Sequence, residues 1–385
     1  MTQTKIQENN RIQDVYIMGG LRTPIGVIGG QYKSVQPELL GAKVLDALLD
    51  TYELEYVDSV FCGNAVGTGG NIARLMTLSS NLPISVPAVT VDMQCASGAM
   101  TIEMAYAHIR SGLMNTVIAG GIESSSLQPT RTYAEGDART GEYLVAQFSP
   151  NENDPLAMLR GAERTIDKYG VSQDTLNKHV LRSHALAVQA MTNPHLKEKI
   201  LPLRFDDIDC TDESIRPRMS EKLLHRMKPL LGPGTVTTAG NACLTHDGAA
   251  FVVVSSKPSA CKIIGSTAWA GEPQYSPEGA WQSTEALLSK YNLTMDDIDV
   301  VEWNEAFAVI DVLFERAYPE ALDRYNRLGG ALAYGHPYGC SGAMLVLHAM
   351  AALGTVQGRY AICAIAGAGG TGTALLLEYN HEYHR

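Results

Sequence analysis

The chain carries the same four residues twice, in the same setting. Ser97-Gly98-Ala99-Met100 leads into a helix-spaced run and then the apolar segment Thr116-Val117-Ile118-Ala119-Gly120-Gly121. Ser341-Gly342-Ala343-Met344 leads into a second helix-spaced run and then an apolar segment from 360, which also ends in glycines. A repeated order of helix, strand and glycine turn is the mark of an internal duplication. Two such units would pack their sheets around shared helices, so that equivalent helix starts face one site. The composition allows it: 385 residues, 45% hydrophobic and 18% charged, can bury a large core.

Between the copies the pattern changes. Up to residue 126 apolar strands alternate with helical spacing, which predicts an α/β fold with much parallel sheet. From 127 to 234 charged residues, Pro, Asp and Asn rise, and two amphipathic helices are expected near 156–169 and 173–191. The predicted division is a disordered tail over 1–13, a first half of 14–126 plus 235–262, an inserted loop domain over 127–234, and a second half over 263–385. Within the insert, the stretch from Arg131 to Pro150 reads as a projecting hairpin or as a cover over a site.

Gly367-Ala368-Gly369-Gly370-Thr371-Gly372 spells the glycine pattern of a dinucleotide-binding loop. That loop needs a following helix, a further strand and an acidic residue about 20 positions on. Here thirteen residues remain, and the first of them read as a strand. The glycines therefore predict a tight turn between two buried strands, where backbone comes close to something else. The net charge of −11 argues against nucleic acid, since phosphates need clustered Lys and Arg. No unbroken run of eighteen apolar residues is present, so no membrane span is expected. Seven scattered cysteines without a C-x-x-C argue against a disulfide framework and against a metal site. With the polar N-terminal stretch, they fit a reducing, cytoplasmic setting.

Three places carry candidate chemistry. Cys95 stands between a strand and a helix that opens on small residues, where free N–H groups and the helix dipole favour a thiolate. A buried structural cysteine is the alternative. His336 lies between Gly335 and Pro337, ahead of the second small-residue helix start, whereas His348 has the mid-helix position of a core histidine. Asn304 and Glu305 interrupt an apolar run at the end of a strand, as a helix cap or as ligand-facing groups.

Together these stretches resemble the thiolase family, from about residue 14 to 379. The family's C-x-S-G, N-E-A-F and G-H-P-x-G-x-S-G appear as Cys95-Ala96-Ser97-Gly98, Asn304-Glu305-Ala306-Phe307 and Gly335-His336-Pro337-Tyr338-Gly339-Cys340-Ser341-Gly342. Gly120-Gly121-Ile122-Glu123-Ser124 is similar to a flanking motif. The resemblance implies a duplicated five-layer αβαβα fold with a loop domain over the site. It implies that acyl-CoA acylates Cys95, that His336 activates Cys95, and that Asn304 orients a water in an oxyanion hole. Backbone N–H groups of Cys95 and Ala368 would form a second hole. Cys243 would touch the pantetheine arm, and basic residues such as Lys228 would lie near the CoA phosphates. CoA thioesters would be substrates, with no separate cofactor, and the chain would be a homodimer or homotetramer.

One departure bears on the chemistry. The family's last motif, C-x-G-G-G-x-G, opens with a second cysteine that serves as acid/base; here Ala366 holds that position and Ala368 replaces a glycine. Cys340, in the catalytic turn, is one candidate replacement. Cys363, three residues upstream, is a second, and His336 or a bound water a third. Three functions follow: an acyl-CoA C-acetyltransferase running Claisen condensation or thiolysis through acyl-Cys95, a partner-dependent acyl-transfer protein, or a non-catalytic CoA-ester binder.

Overall fold

A computed structural model describes residues 12–150, 153–205, 207–243 and 245–383. The tail expected over 1–13 thus falls, apart from its last two residues, outside the described residues. The first half contributes β1 (Tyr16–Arg22), β2 (Ser59–Gly63), β3 (Ala88–Val91), β4 (Thr116–Glu123) and β5 (His246–Ser255). The second contributes β6 (Cys261–Ala270), β7 (Val300–Trp303), β8 (Tyr360–Gly367) and β9 (Thr371–Tyr379). The strand order is β7-β8-β9-β6-β1-β5-β4-β2-β3, with Gly26–Val27 paired onto β5.

The order shows the duplication directly. In the first half β2 and β4 are parallel, and β4, β5 and β1 follow antiparallel. In the second β7 and β8 are parallel, and β8, β9 and β6 follow antiparallel. The halves join where β1 meets β6, through the pairs Tyr16–Lys262 and Ile17–Cys261. A seam that short makes them two sheets in contact, not one continuous platform.

Helices α1 (Pro37–Thr51) and α2 (Ile72–Leu78) cover the outer face of the first sheet. Between the sheets lies α3 (Ser97–Arg110), which opens on the first Ser-Gly-Ala-Met. The insert supplies α4 (Ala157–Tyr169) and α5 (Gln173–Ala190), within a residue of the expected bounds. Helices α6 (Gly279–Tyr291) and α7 (Ala308–Ala317) cover the second sheet, and α8 (Tyr338–Val356) joins α3 in the middle layer. The layers are therefore αβαβα. The two middle helices touch at glycine: a Cβ on Gly342 would sit 2.1 Å from the Ala99 nitrogen, and one on Gly98 would sit 2.7 Å from the Gly339 carbonyl oxygen.

Helix α8 adds a finding to the sequence reading. It is long and apolar enough to cross a bilayer, with a mean hydropathy of 1.5, yet 83% of that window is buried inside the fold. A helix packed between two sheets is apolar all round for that reason. The glycines at 367–372 form the β8–β9 hairpin turn, Gly367 opposite Thr371, with Gly369 at φ 85° and Gly370 at φ 73°. That left-handed backbone favours glycine, and the antiparallel hairpin leaves no place for a dinucleotide helix.

Candidate active site

The starts of α3 and α8 open onto a cavity of about 470 Å³ beneath the insert. Cys95, Cys243, His336, Tyr338 and Ala368 line it, and Leu144, Phe148, Met158 and Phe307 give it an apolar side. The segment from Arg131 does form a hairpin, Arg131–Thr132 against Glu142–Tyr143. Its outgoing limb, Tyr143 to Ala146, walls the cavity.

A clamped turn presents Cys95. Asp92 Oδ1 accepts from the Gln94 N–H (2.8 Å), which holds Gln94 at φ 52°. Ser97 Oγ accepts from the Met93 N–H (2.8 Å) and donates to the Gln94 carbonyl (2.6 Å). Side chains of Asp and Ser that bond nearby backbone are what stabilise such a turn. The Cys95 sulfur lies against its own N–H and that of Ala368, both of which favour a thiolate. Burial outweighs them and pushes the thiol up to about 12. The lowered pKa expected at a helix start is therefore not found: Cys95 precedes the first helical residue, Ser97, and sits in an apolar wall.

His336 is held at both ring nitrogens. Ser341 Oγ donates to the Pro337 carbonyl (2.9 Å) and so accepts from His336 Nδ1–H (2.6 Å). The proton assigned to Nδ1 leaves a lone pair on Nε2, to which Asn304 Nδ2 donates (3.3 Å). Burial, helped by His246, lowers the imidazole to about 3, so the ring is neutral. The His336 N–H donates to His246 Nδ1 (3.1 Å), and Ser214 bonds His246 Nε2 (2.7 Å). Tyr338 packs edge-on to His336 at 4.9 Å. Cys95 and His336 thus line one cavity as a neutral thiol and a neutral imidazole.

Two buried carboxyls brace the turns. Glu123 takes the Asn64 amide (2.9 Å) and the N–H groups of Ala65 (2.9 Å), Val66 (3.2 Å) and Gly339 (3.0 Å). It thereby ties the His336 turn of one half to the β2 loop of the other. Burial raises its acid to about 7. Glu305 accepts from Ser183 Oγ (2.6 Å), Asn326 Nδ2 (2.8 Å) and the Leu332 N–H (3.2 Å). Of the polar pair at the end of β7, Asn304 reaches His336 while Glu305 is committed to holding α5 and the 326–332 turn.

The cysteines separate. Cys340, one candidate for the missing acid/base, is fully buried, its thiol faces Met344 (3.9 Å), and it does not line the cavity. The helix explains this correction: Tyr338 and Ser341, three apart, share the face toward His336, and Cys340 lies on the other side. Cys363 points into the core from β8. Cys243 does line the cavity, its thiol donating to the Ala331 carbonyl (2.9 Å) and raised by burial. Lys228 is exposed and lies outside the cavity wall. Among the described residues no cluster suits a metal ion.

Sequence reasoning missed Tyr338, whereas the segment from Arg131 to Pro150, read as a hairpin or as a cover over a site, is both. Tyr338 stood inside a recognised motif, where its phenol was the available signal. The rest of the wall, Pro155, Met158 and Leu159, also comes from the insert, and distance in sequence hid it.

The thiolase family profiles cover nearly the whole described chain: "Thiolase, N-terminal domain" matches residues 15–258 and "Thiolase, C-terminal domain" residues 258–379. The chain belongs to the thiolase family. A relative from Staphylococcus epidermidis, named "Putative acetyl-CoA C-acetyltransferase VraB", is 35% identical over 379 residues, covering 94% of this chain and 97% of its own. A Staphylococcus aureus protein of the same name is 35% identical over 345 residues, covering 86% and 90%. The crystal structure of the Bacillus anthracis acetyl-CoA acetyltransferase superposes with a TM-score of 0.88 at 27% identity, covering 97% of this chain and 100% of that one. Human mitochondrial 3-ketoacyl-CoA thiolase gives 0.87 at 26%, covering 96% and 100%.

Proposed function

We propose that this protein is an acyl-CoA C-acetyltransferase of thiolase type, with Cys95 as the acyl carrier. The observation that carries this is the convergence of Cys95, the neutral His336 and the Ala368 N–H at one cavity, with Asn304 bonded to His336 from behind. The Cys95 sulfur attacks the carbonyl of a 3-ketoacyl-CoA, and its proton passes to His336 Nε2, whose lone pair the long Asn304 bond (3.3 Å) releases for it. The C–C bond then breaks, and the same proton returns to the departing carbon of the acyl-CoA enolate. CoA–SH next attacks the acyl-enzyme; its proton travels through His336 to the Cys95 sulfur, and an acyl-CoA leaves. Condensation is the reverse. Protons balance with His336 as the single carrier, which suits a chain with Ala366 at the second-cysteine position and with Cys340 and Cys363 out of reach.

In this reading the N–H groups of Cys95 and Ala368 stabilise the oxyanion of the acyl-enzyme, and Asn304 orients a water for that of the second substrate. The apolar wall and Cys243 suit a pantetheine arm. Arg216, Arg218, Arg226 and Lys228, all exposed on the insert, suit the CoA phosphates. A homodimer has physical support, since β3 ends the sheet and Val89, Leu75, Leu78 and Ile84 are exposed around it.

The test is thiolysis of acetoacetyl-CoA by the purified chain, with mass spectrometry for acetyl-Cys95. Turnover lost in Cys95→Ala supports the proposal. The absence of the second cysteine favours one other reading, acyl transfer that needs a partner protein. Acetylation of Cys95 without turnover would select it, and neither acetylation nor turnover would overturn both.

A further inference from the structure

Both ring nitrogens of His336 bond to residues that back onto a second buried space. Nδ1 meets Ser341 and Nε2 meets Asn304. Asn304 and Ser341, with Glu302, Tyr334 and His348, line a cavity of about 20 Å³ between β7 and α8. It shares no lining residue with the cavity that holds Cys95. His336 therefore stands as a partition, with substrate space in front and this small space behind.

The wall of the small cavity is mostly apolar, but two of its residues carry polar atoms without a protein partner. Neither carboxyl oxygen of Glu302 has a protein partner, and neither does His348 Nε2. Glu302 is 0% exposed and His348 3%. Such atoms are rare in folded proteins, because a buried donor or acceptor left unsatisfied is costly. Charge does not resolve the problem: burial raises the Glu302 acid well above the carboxylate range and lowers His348 to about 3, so both are neutral. A neutral acid offers one O–H and free lone pairs, and a neutral imidazole nitrogen one bond of either sense. A water needs roughly 10–15 Å³ and two to four polar partners, so the space has room for one water, and Glu302 and His348 are the residues of its wall with bonds left to offer.

We propose that this cavity is a binding site for a single internal water, held by Glu302 and His348, which fixes Asn304 and Ser341 from behind and so sets the orientation of the His336 ring. Glu302 and His348 are then positioning residues, since neither lines the cavity that holds Cys95. The water is separate from the one that Asn304 would orient toward substrate. The water site stands on the geometry alone; its effect on turnover rests on the thiolase reading.

High-resolution crystal structures of the wild-type chain and of Glu302→Leu test the site without any assay. The expected result is one isolated density peak within about 2.6–3.2 Å of the Glu302 carboxyl and His348 Nε2, lost in the variant. An empty cavity, or Glu302 and His348 bonded directly to each other, overturns the proposal. Kinetics test the role. Glu302→Gln keeps a donor and an acceptor and should hold kcat within about twofold, whereas Glu302→Leu should lower kcat by roughly 10–100-fold at nearly unchanged KM. His348→Leu should give the same split, and it serves if Glu302→Leu does not fold. Leucine variants that turn over like wild type would overturn the positioning role. If the wild-type chain shows no thiolysis, the density still decides the water site.

Discussion

The two halves bring the same helix start to one cavity and use it differently. At the start of α3 the preceding turn is short and clamped by Asp92 and Ser97, and it puts a thiol against backbone N–H groups. At the start of α8 the preceding turn is tied to its surroundings through side chains: Ser341, Asn304 and His246 each take one atom of His336, and Glu123 takes the next turn's N–H. The first turn supplies a reacting atom in a field of dipoles, and the second supplies a ring whose tautomer is dictated. Duplication made the frame symmetric; the residues just ahead of each Ser-Gly-Ala-Met made the chemistry asymmetric.

That asymmetry can be broken from either side. The largest effect is expected for Cys95→Ala, which removes the acyl carrier; thiolysis should fall by at least about 10³-fold and acetyl labelling should disappear. Asn304→Ala should lower kcat by roughly 10²–10³-fold while Cys95 still takes up acetyl, read by mass spectrometry beside steady-state rates. The pH dependence of Cys95 alkylation by iodoacetamide sharpens the contrast. With the thiol raised to about 12, the thiolate fraction should climb about tenfold per pH unit from 7 to 9. A plateau below pH 7 would mean that the helix start, not burial, governs the sulfur. Cys340→Ala should matter least: activity within about twofold, and stability lower by roughly 1 kcal/mol for a buried sulfur removed, measured by denaturant unfolding.

Much of this was legible in the sequence, and the exceptions have a common cause. The repeated Ser-Gly-Ala-Met, the glycine hairpin and the two insert helices are local patterns, and each appears where spacing put it. Cys95, His336, Asn304, Cys243 and Ala368 are singled out by the sequence, and the fold brings four of them to one cavity, with Asn304 just behind His336. What failed depended on burial or on helix phase. The thiol's pKa follows from how much water the fold removes, which no local motif reports. Cys340 sits in the recognised turn, yet two residues of helix rotate it away from Tyr338. Lys228 was chosen by charge, and charge says nothing of distance from a cavity. Glu305 reads with Asn304 as a helix cap or a ligand-facing group and instead holds α5, because its neighbours Ser183 and Asn326 come from distant segments.

The contact between Gly342 and Ala99 also has a consequence for synthesis. Helix α3 has its closest neighbour in a helix that is made more than two hundred residues later. As the chain leaves the ribosome, the inner face of the first sheet and the small-residue flank of α3 stay uncovered until α8 emerges. For that interval the nascent protein presents apolar surface, and β6, once made, keeps an unpaired edge until β9 follows, the condition under which chains aggregate or recruit a chaperone.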